Sequence, residues 1–170
     1  IGLSNLSSDL VMFSFSNLKP VKRVDLILDA LIYLNQIHPD LAVKWFHIGV
    51  GESLKRLTTK AGKKLGKTRI GCYFKGNLSN SEVFDFYHKQ PVDVFVNVSE
   101  TEGIPVSIME VQSFGIPVIA TAVGGTPEIV NNQNGFLINA DLKAGDLAKV
   151  LYEVFIDKEN WNRKRIHSRK

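Results

Sequence analysis

The sequence predicts a doubly wound α/β domain built on a six-stranded parallel sheet. Short, continuously apolar runs such as Leu10–Phe15 and Val92–Asn97 read as strands buried on both faces. They alternate from end to end with runs of helical period, the pattern of parallel strands joined by right-handed helical crossovers. The length of 170 residues suits one domain, and 44% hydrophobic residues supply a core.

The elements follow in order. Leu10–Phe15 is the first strand. Val24, Ile27, Leu28, Leu31 and Leu34 then recur at helical spacing until Pro39 stops them. Leu41–Ile48 is the second strand, and Leu54, Leu57, Ala61 and Leu65 stripe a helix ending near Gly66. Arg69–Phe74 is the third strand. Ser79 and Glu82 form a capping box, in which each side chain satisfies a free backbone N–H, opening a helix through His88. Val92–Asn97 is the fourth strand and Pro105–Phe114 the next helix. Val118–Thr121, a short helix after Pro127, Phe136–Ile138 and a helix from Asp146 to Phe155 complete the set. The expected strand order is 3-2-1-4-5-6, which reverses between strands 1 and 4. Ligands of such sheets bind at that switch point, just beyond Phe15 and Asn97.

Residues 1–9 read as a Ser/Asn-rich linker from a preceding domain, residues 10–158 as the α/β domain, and residues 159–170 as a basic C-terminal helix or frayed tail. Cys72 is the lone cysteine, which excludes an internal disulfide and points to a reducing, cytoplasmic setting. No apolar run has the length of a membrane span. The formal charge of +4 comes from two clusters, Lys55–Arg69 and Arg163–Lys170. Neither interleaves aromatics for base stacking, so nucleic acid is not an expected partner. The clusters read as a solvated helix face and a frayed end, with peripheral contact of the full-length protein with the inner face of an anionic membrane as the alternative.

Several motifs fail on context. The run Ala61–Thr68 resembles a phosphate loop but closes a helix and precedes a strand, the reverse of what phosphate binding needs. Gly49 and Gly51 begin a dinucleotide fingerprint after the wrong strand and without its third glycine. The four histidines lack metal-ligand spacing, so no metal site is assigned.

The informative segment is Ser99–Glu110, at the carboxyl end of the fourth strand. Gly103 permits close backbone approach, and Pro105 suits a first helical turn. The N–H groups of Val106 and Ser107 are then unpaired at the positive end of a helix, where an anion is the natural occupant. Glu102 sits above this pocket, and Glu110 lies on the helix with a carboxylate suited to a ribose diol. Lys19, Lys22 and Arg23 stand across the switch point after the first strand. Cations and a helix N-terminus facing one cleft suit a diphosphate without a divalent metal. The whole suits a nucleotide-diphosphate sugar.

Glu102 and Glu110 with seven residues between them, Gly115-Ile-Pro-Val-Ile-Ala-Thr, and Val123-Gly-Gly-Thr-Pro-Glu-Ile-Val resemble the signature of retaining glycosyltransferases of family 4, also called group 1. Leu18 with Lys22, His47-Ile-Gly with Gly51, and Asn134-Gly-Phe-Leu are similar to further landmarks in the same order. The resemblance covers residues 10–155. It implies one half of a GT-B fold: the C-terminal, Rossmann-like donor domain of a hexosyltransferase-type enzyme in glycan or polysaccharide synthesis. The acceptor would then lie on an N-terminal domain preceding Ile1, and the present chain alone would be inactive.

The resemblance also implies roles. Lys22 binds the diphosphate and Glu102 lies beside the donor sugar, the two catalytic candidates. The backbone of Gly103, Ile104, Pro105, Val106 and Ser107 contacts sugar and distal phosphate. Glu110 takes the ribose hydroxyls, and Gly124 and Gly125 shape the loop beside the nucleotide. No cofactor is expected beyond a UDP- or GDP-sugar as substrate. The family's Gly-Arg pair is replaced by Ser16 and Asn17, so one phosphate cation is absent and Arg23 is its expected substitute. Two rival readings stay open: a non-catalytic nucleotide-sugar-binding domain and a sugar-nucleotide epimerase of GT-B architecture.

Overall fold

A computed structural model describes residues 9–168. The strands are β1 (Asp9–Phe15), β2 (Ala42–Ile48), β3 (Ile70–Phe74), β4 (Val94–Asn97), β5 (Val118–Thr121) and β6 (Gly135–Ile138). The helices are α1 (Val24–Ile37), α2 (Leu54–Leu65), α3 (Asn80–Lys89), α4 (Val106–Ser113), α5 (Thr126–Ile129), α6 (Ala144–Ile156) and α7 (Lys158–Ser168). Among the described residues the strands form a six-stranded sheet in the order β3-β2-β1-β4-β5-β6, every pair parallel. The expected fold class and strand order are both present.

Alternation along each strand sends side chains to two separate cores. Leu10, Met12, Val43 and Trp45 meet Leu28, Leu31 and Leu34 of α1, Leu57 and Leu65 of α2, and Leu147 and Leu151 of α6. Phe13, Phe95 and Val118 meet Val83 and Tyr87 of α3 and Ile108 and Val111 of α4 on the other face. Trp45, Phe13 and Phe95 are the largest fully buried side chains. Truncating one of them to alanine would cost about 3–5 kcal/mol, because so packed a site cannot collapse around the cavity.

Local chemistry sets several helix ends. The Ser79 N–H donates to Glu82 Oε2 at 2.8 Å and the Glu82 N–H donates to Ser79 Oγ at 3.4 Å, completing the capping box. α5 begins at Thr126, one residue before Pro127, and α6 begins at Ala144 with Asp146 accepting from the Lys143 N–H at 2.8 Å.

Of the expected linker over residues 1–9, residues 1–8 lie outside the described residues and Asp9 belongs to β1. The basic end is helical through Ser168 and crosses the amino ends of the strands, away from the switch point. There Trp161 is buried and its Nε1 donates to Asp93 O at 2.8 Å. Arg165 Nη1 donates to Val92 O at 2.7 Å and Lys164 Nζ to Asn132 O. Among the described residues no helix is long and apolar enough to cross a membrane.

Candidate functional site

The strand order reverses between β1 and β4, and the loops leaving these strands are stitched together. The Glu100 N–H donates to Val21 O at 2.9 Å. Lys22 Nζ donates to Glu102 Oε1 at 2.7 Å, 80 residues further along the chain. Asn97 Nδ2 donates to the same oxygen at 3.2 Å. Burial pushes the Glu102 carboxyl up, but hydrogen bonds with Lys22, Ser99 and Asn97 outweigh it and hold the group below the usual carboxylate range. Glu102 is therefore an anion at neutral pH. The structure thus joins the two catalytic candidates directly.

Asn97 also fixes the loop beneath Glu102, its Oδ1 accepting from the Ser99 N–H at 3.1 Å. Thr121 Oγ1 donates to Ser99 O at 2.5 Å from β5. Asn97, Ser99 and Thr121 were not among the candidates read from the sequence. The available signal was a polar residue ending the apolar fourth strand at the switch point.

Arg23 reaches away from Lys22 and Glu102. Its Nε donates to Val98 O and its Nη1 to Ala140 O, both at 2.7 Å, and its Nη2 is buried without a partner. The backbone at Arg23 is left-handed, with φ 47°, where a 3-10 turn over Pro20–Lys22 gives way to α1. That turn sends the guanidinium to backbone carbonyls after β4 and β6 rather than to Lys22 and Glu102. Arg23 ties two loops in this arrangement, while Asn17, where the expected arginine is absent, is exposed. Lys19 also leaves the group, lining a separate cavity of about 240 Å³ with Arg56 and Glu100.

Across from Lys22, α4 opens at Val106 with Pro105 as its N-cap. The first-turn N–H groups of Val106 and Ser107 have no intrahelical acceptor. Ile104, Val106 and Met109 are exposed apolar side chains around this end. Glu110 is the fifth residue of α4, half-buried, and forms no ion pair among the described residues. Burial chiefly, and then the Glu110 charge, push the neighbouring Tyr87 phenol up.

Two glycines are required by close approach. Gly124 has φ 53°, and a Cβ there would stand 1.8 Å from Glu102 O. Gly125 follows, its N–H donating to Gly103 O at 2.9 Å. The pair presses the loop after β5 onto Glu102–Ile104, so it shapes the site from behind. Gly49, with φ 138°, does the same for the loop after β1, since a Cβ would lie 1.8 Å from Ser16 O.

Behind that loop lies a buried polar chain, of which the sequence marked only His47. Trp45 Nε1 donates to Ser14 Oγ at 2.9 Å, and Ser14 Oγ in turn meets His47 Nδ1 at 2.8 Å. His47 Nε2 lies near the Ser16 carbonyl but in no sound hydrogen bond. Burial pushes the His47 imidazole down to about 4, so it is neutral. Among the described residues no group of three or more His, Cys, Asp or Glu side chains is placed to hold a metal ion.

Comparison with known proteins gives a consistent neighbourhood. Residues 4–170 match the family model described as glycosyl transferases group 1. An O-antigen biosynthesis glycosyltransferase of Escherichia coli, WbnH, is 30% identical over 121 residues, covering 71% of this chain and 32% of that protein. The chain thus spans about a third of the length of this curated relative. Among solved structures, Anabaena HepE in complex with UDP-glucose superposes with TM-score 0.78 at 23% identity, over 95% of this chain and 43% of its own. The C-terminal domain of a group 1 family protein, LpcC, from Francisella tularensis superposes with TM-score 0.73 at 22% identity, over 95% of this chain and 82% of that domain. At such identities these structures speak for the fold.

Proposed function

The chain belongs to the group 1 glycosyltransferases, and from that premise we propose that it is the donor-binding half of a retaining enzyme. The enzyme would move a hexose from a UDP- or GDP-sugar to an acceptor hydroxyl in polysaccharide or lipopolysaccharide synthesis. HepE, of the same fold, is described with UDP-glucose, and WbnH is an O-antigen enzyme. The observation that carries the reading is the Lys22–Glu102 pair at 2.7 Å, lying at the switch point with the α4 N-terminus and an unpaired Glu110.

Each group then has a task. A lysine ammonium has three N–H donors, and Glu102 takes one, leaving two for phosphate oxygens. The N–H groups of Val106 and Ser107 face the same anion with the positive end of α4, so charge on the departing diphosphate meets donors already in place. No divalent ion is needed in this scheme. Glu102, ionised, accepts from donor-sugar hydroxyls and offsets positive charge developing on the sugar. Glu110 accepts from the ribose diol. The acceptor would be held by a second domain, and transfer would need that domain to close and exclude water.

Calorimetry with UDP, GDP and ADP, repeated in EDTA, tests the reading. One nucleotide should bind, EDTA should leave its affinity unchanged, and Glu110→Gln should weaken it by about 1–3 kcal/mol, the scale of a charged hydrogen bond. Binding restored only by magnesium, or unaffected by Glu110→Gln, would remove the assignment.

A further inference from the structure

Residues 52–69 carry seven cations and one carboxylate, Glu52, a local excess of six positive charges. It comprises α2 and the turn leading to β3. The apolar stripe of α2, Leu57, Ala61 and Leu65, is buried. Lys60 is engaged by Asp29 of α1 at 2.5 Å. The remaining six, Lys55, Arg56, Lys63, Lys64, Lys67 and Arg69, are exposed, and none forms an ion pair among the described residues.

The helical repeat sets Lys55, Arg56 and Lys63 within an arc of about 100°, with Lys64 beside it. The row extends about 18 Å along the 12 residues of α2, from the rim of the switch point towards the foot of the sheet. Like charges gathered on one face repel and destabilise the compact state. Among the described residues no ion pair offsets these six, in contrast to α7, where Lys164 and Arg165 close backbone carbonyls.

We infer that this face docks on an anionic lipid surface. The occupant must be an extended plane of negative charge, because the face is a convex helix flank. Lysines predominate, which act as point charges rather than as forks for particular bases. No exposed aromatic belongs to the face. Tyr73 on the adjoining β3 points to the other side of the sheet, where it stacks on Phe46 with centroids 4.8 Å apart. The attraction is electrostatic, so it weakens with salt. Docking by this flank stands the switch-point cleft edge-on at the lipid, within reach of a membrane-borne acceptor.

Vesicle co-sedimentation of the 170-residue protein without nucleotide tests the inference independently of sugar transfer. Vesicles of phosphatidylcholine with about one third phosphatidylglycerol should bind at least roughly a hundredfold more tightly than phosphatidylcholine alone at low salt. Each exposed charge contributes about fivefold, so Lys55→Gln with Lys63→Gln and Lys64→Gln should weaken binding by about a hundredfold. The melting temperature should hold or rise, since glutamine keeps helix propensity and relieves the repulsion. Arg163→Gln on α7 should leave vesicle binding as it was. Equal binding to neutral vesicles, indifference to the triple substitution, or tighter binding of a single-stranded RNA at equal phosphate concentration would overturn it.

Discussion

The two walls of the switch point are built by different means. The wall after β4 is local: Asn97, Ser99, Glu102, Pro105 and Glu110 follow one another within 14 residues and are shaped by a strand end, a glycine and a helix start. The wall after β1 is held from a distance. Arg23 reaches carbonyls 75 and 117 residues away, and Ser16 sits on the buried Trp45–Ser14–His47 chain of β1 and β2. A locally built wall carries its chemistry in its own sequence. One built by remote ties takes its cations' roles from whichever carbonyls the fold brings near.

The largest expected effect tests whether the walls depend on the loop behind them. Gly124→Val places a Cβ against Glu102 O in a left-handed backbone. Strain and overpacking together should cost about 4 kcal/mol in urea unfolding, and nucleotide binding should fall with it. A variant that unfolds like the parent would show that the loops after β4 and β5 are not in fixed contact.

The next effect belongs to the β1 wall alone. His47 is held near 4 when folded against 6.5 for the ordinary group, so between those values the unfolded chain binds a proton that the folded chain refuses. Its contribution is present above pH 6.5 and lost as pH falls towards 4, by about 3 kcal/mol in all. Unfolding measured against pH should show this slope in the parent and not in His47→Gln. The same slope in both would place the acid sensitivity elsewhere.

The smallest effect separates two adjacent cations. Arg23→Lys should cost about 1–2 kcal/mol of stability, because one ammonium cannot serve both carbonyls. It should leave diphosphate affinity within about threefold, whereas Lys22→Gln should lower that affinity by about tenfold with little effect on stability. Equal losses of affinity from both would erase the distinction between tie and ligand.

The same division explains what was legible beforehand. Parallel strands buried on both faces announce themselves as apolar runs, so the sheet and its order could be read from Leu10–Phe15, Val92–Asn97 and their counterparts. The β4 wall was legible for the same reason, since Gly103, Pro105 and the glutamate spacing are neighbours. The contacts of Arg23 were not legible because its partners are remote and its left-handed φ has no signature in a non-glycine residue. His47 was legible as a landmark but not as a member of a buried chain, because Ser14, its register partner on β1, lies 33 residues away in sequence. The two basic clusters were indistinguishable as strings, yet Trp161 docks α7 onto Asp93 and turns Lys164 and Arg165 to structural use, while α2 keeps its cations outside.

The pairing of β1 carries a consequence for how the molecule comes together. β1 meets β2 through seven residue pairs but β4 through two, Met12 with Val94 and Phe13 with Phe95. The first junction closes over one helical crossover. The second, marked by the Val11 N–H on Asp93, must close a chain loop of 82 residues, which costs more entropy and forms more slowly. The cleft therefore lies on the junction that closes the longer loop. Opening there would part Lys22 from Glu102 and break both cores, since each is built from residues on both sides of it. A nucleotide bridging it acts as a fastener, tying the closure of that junction to the occupancy of the cleft.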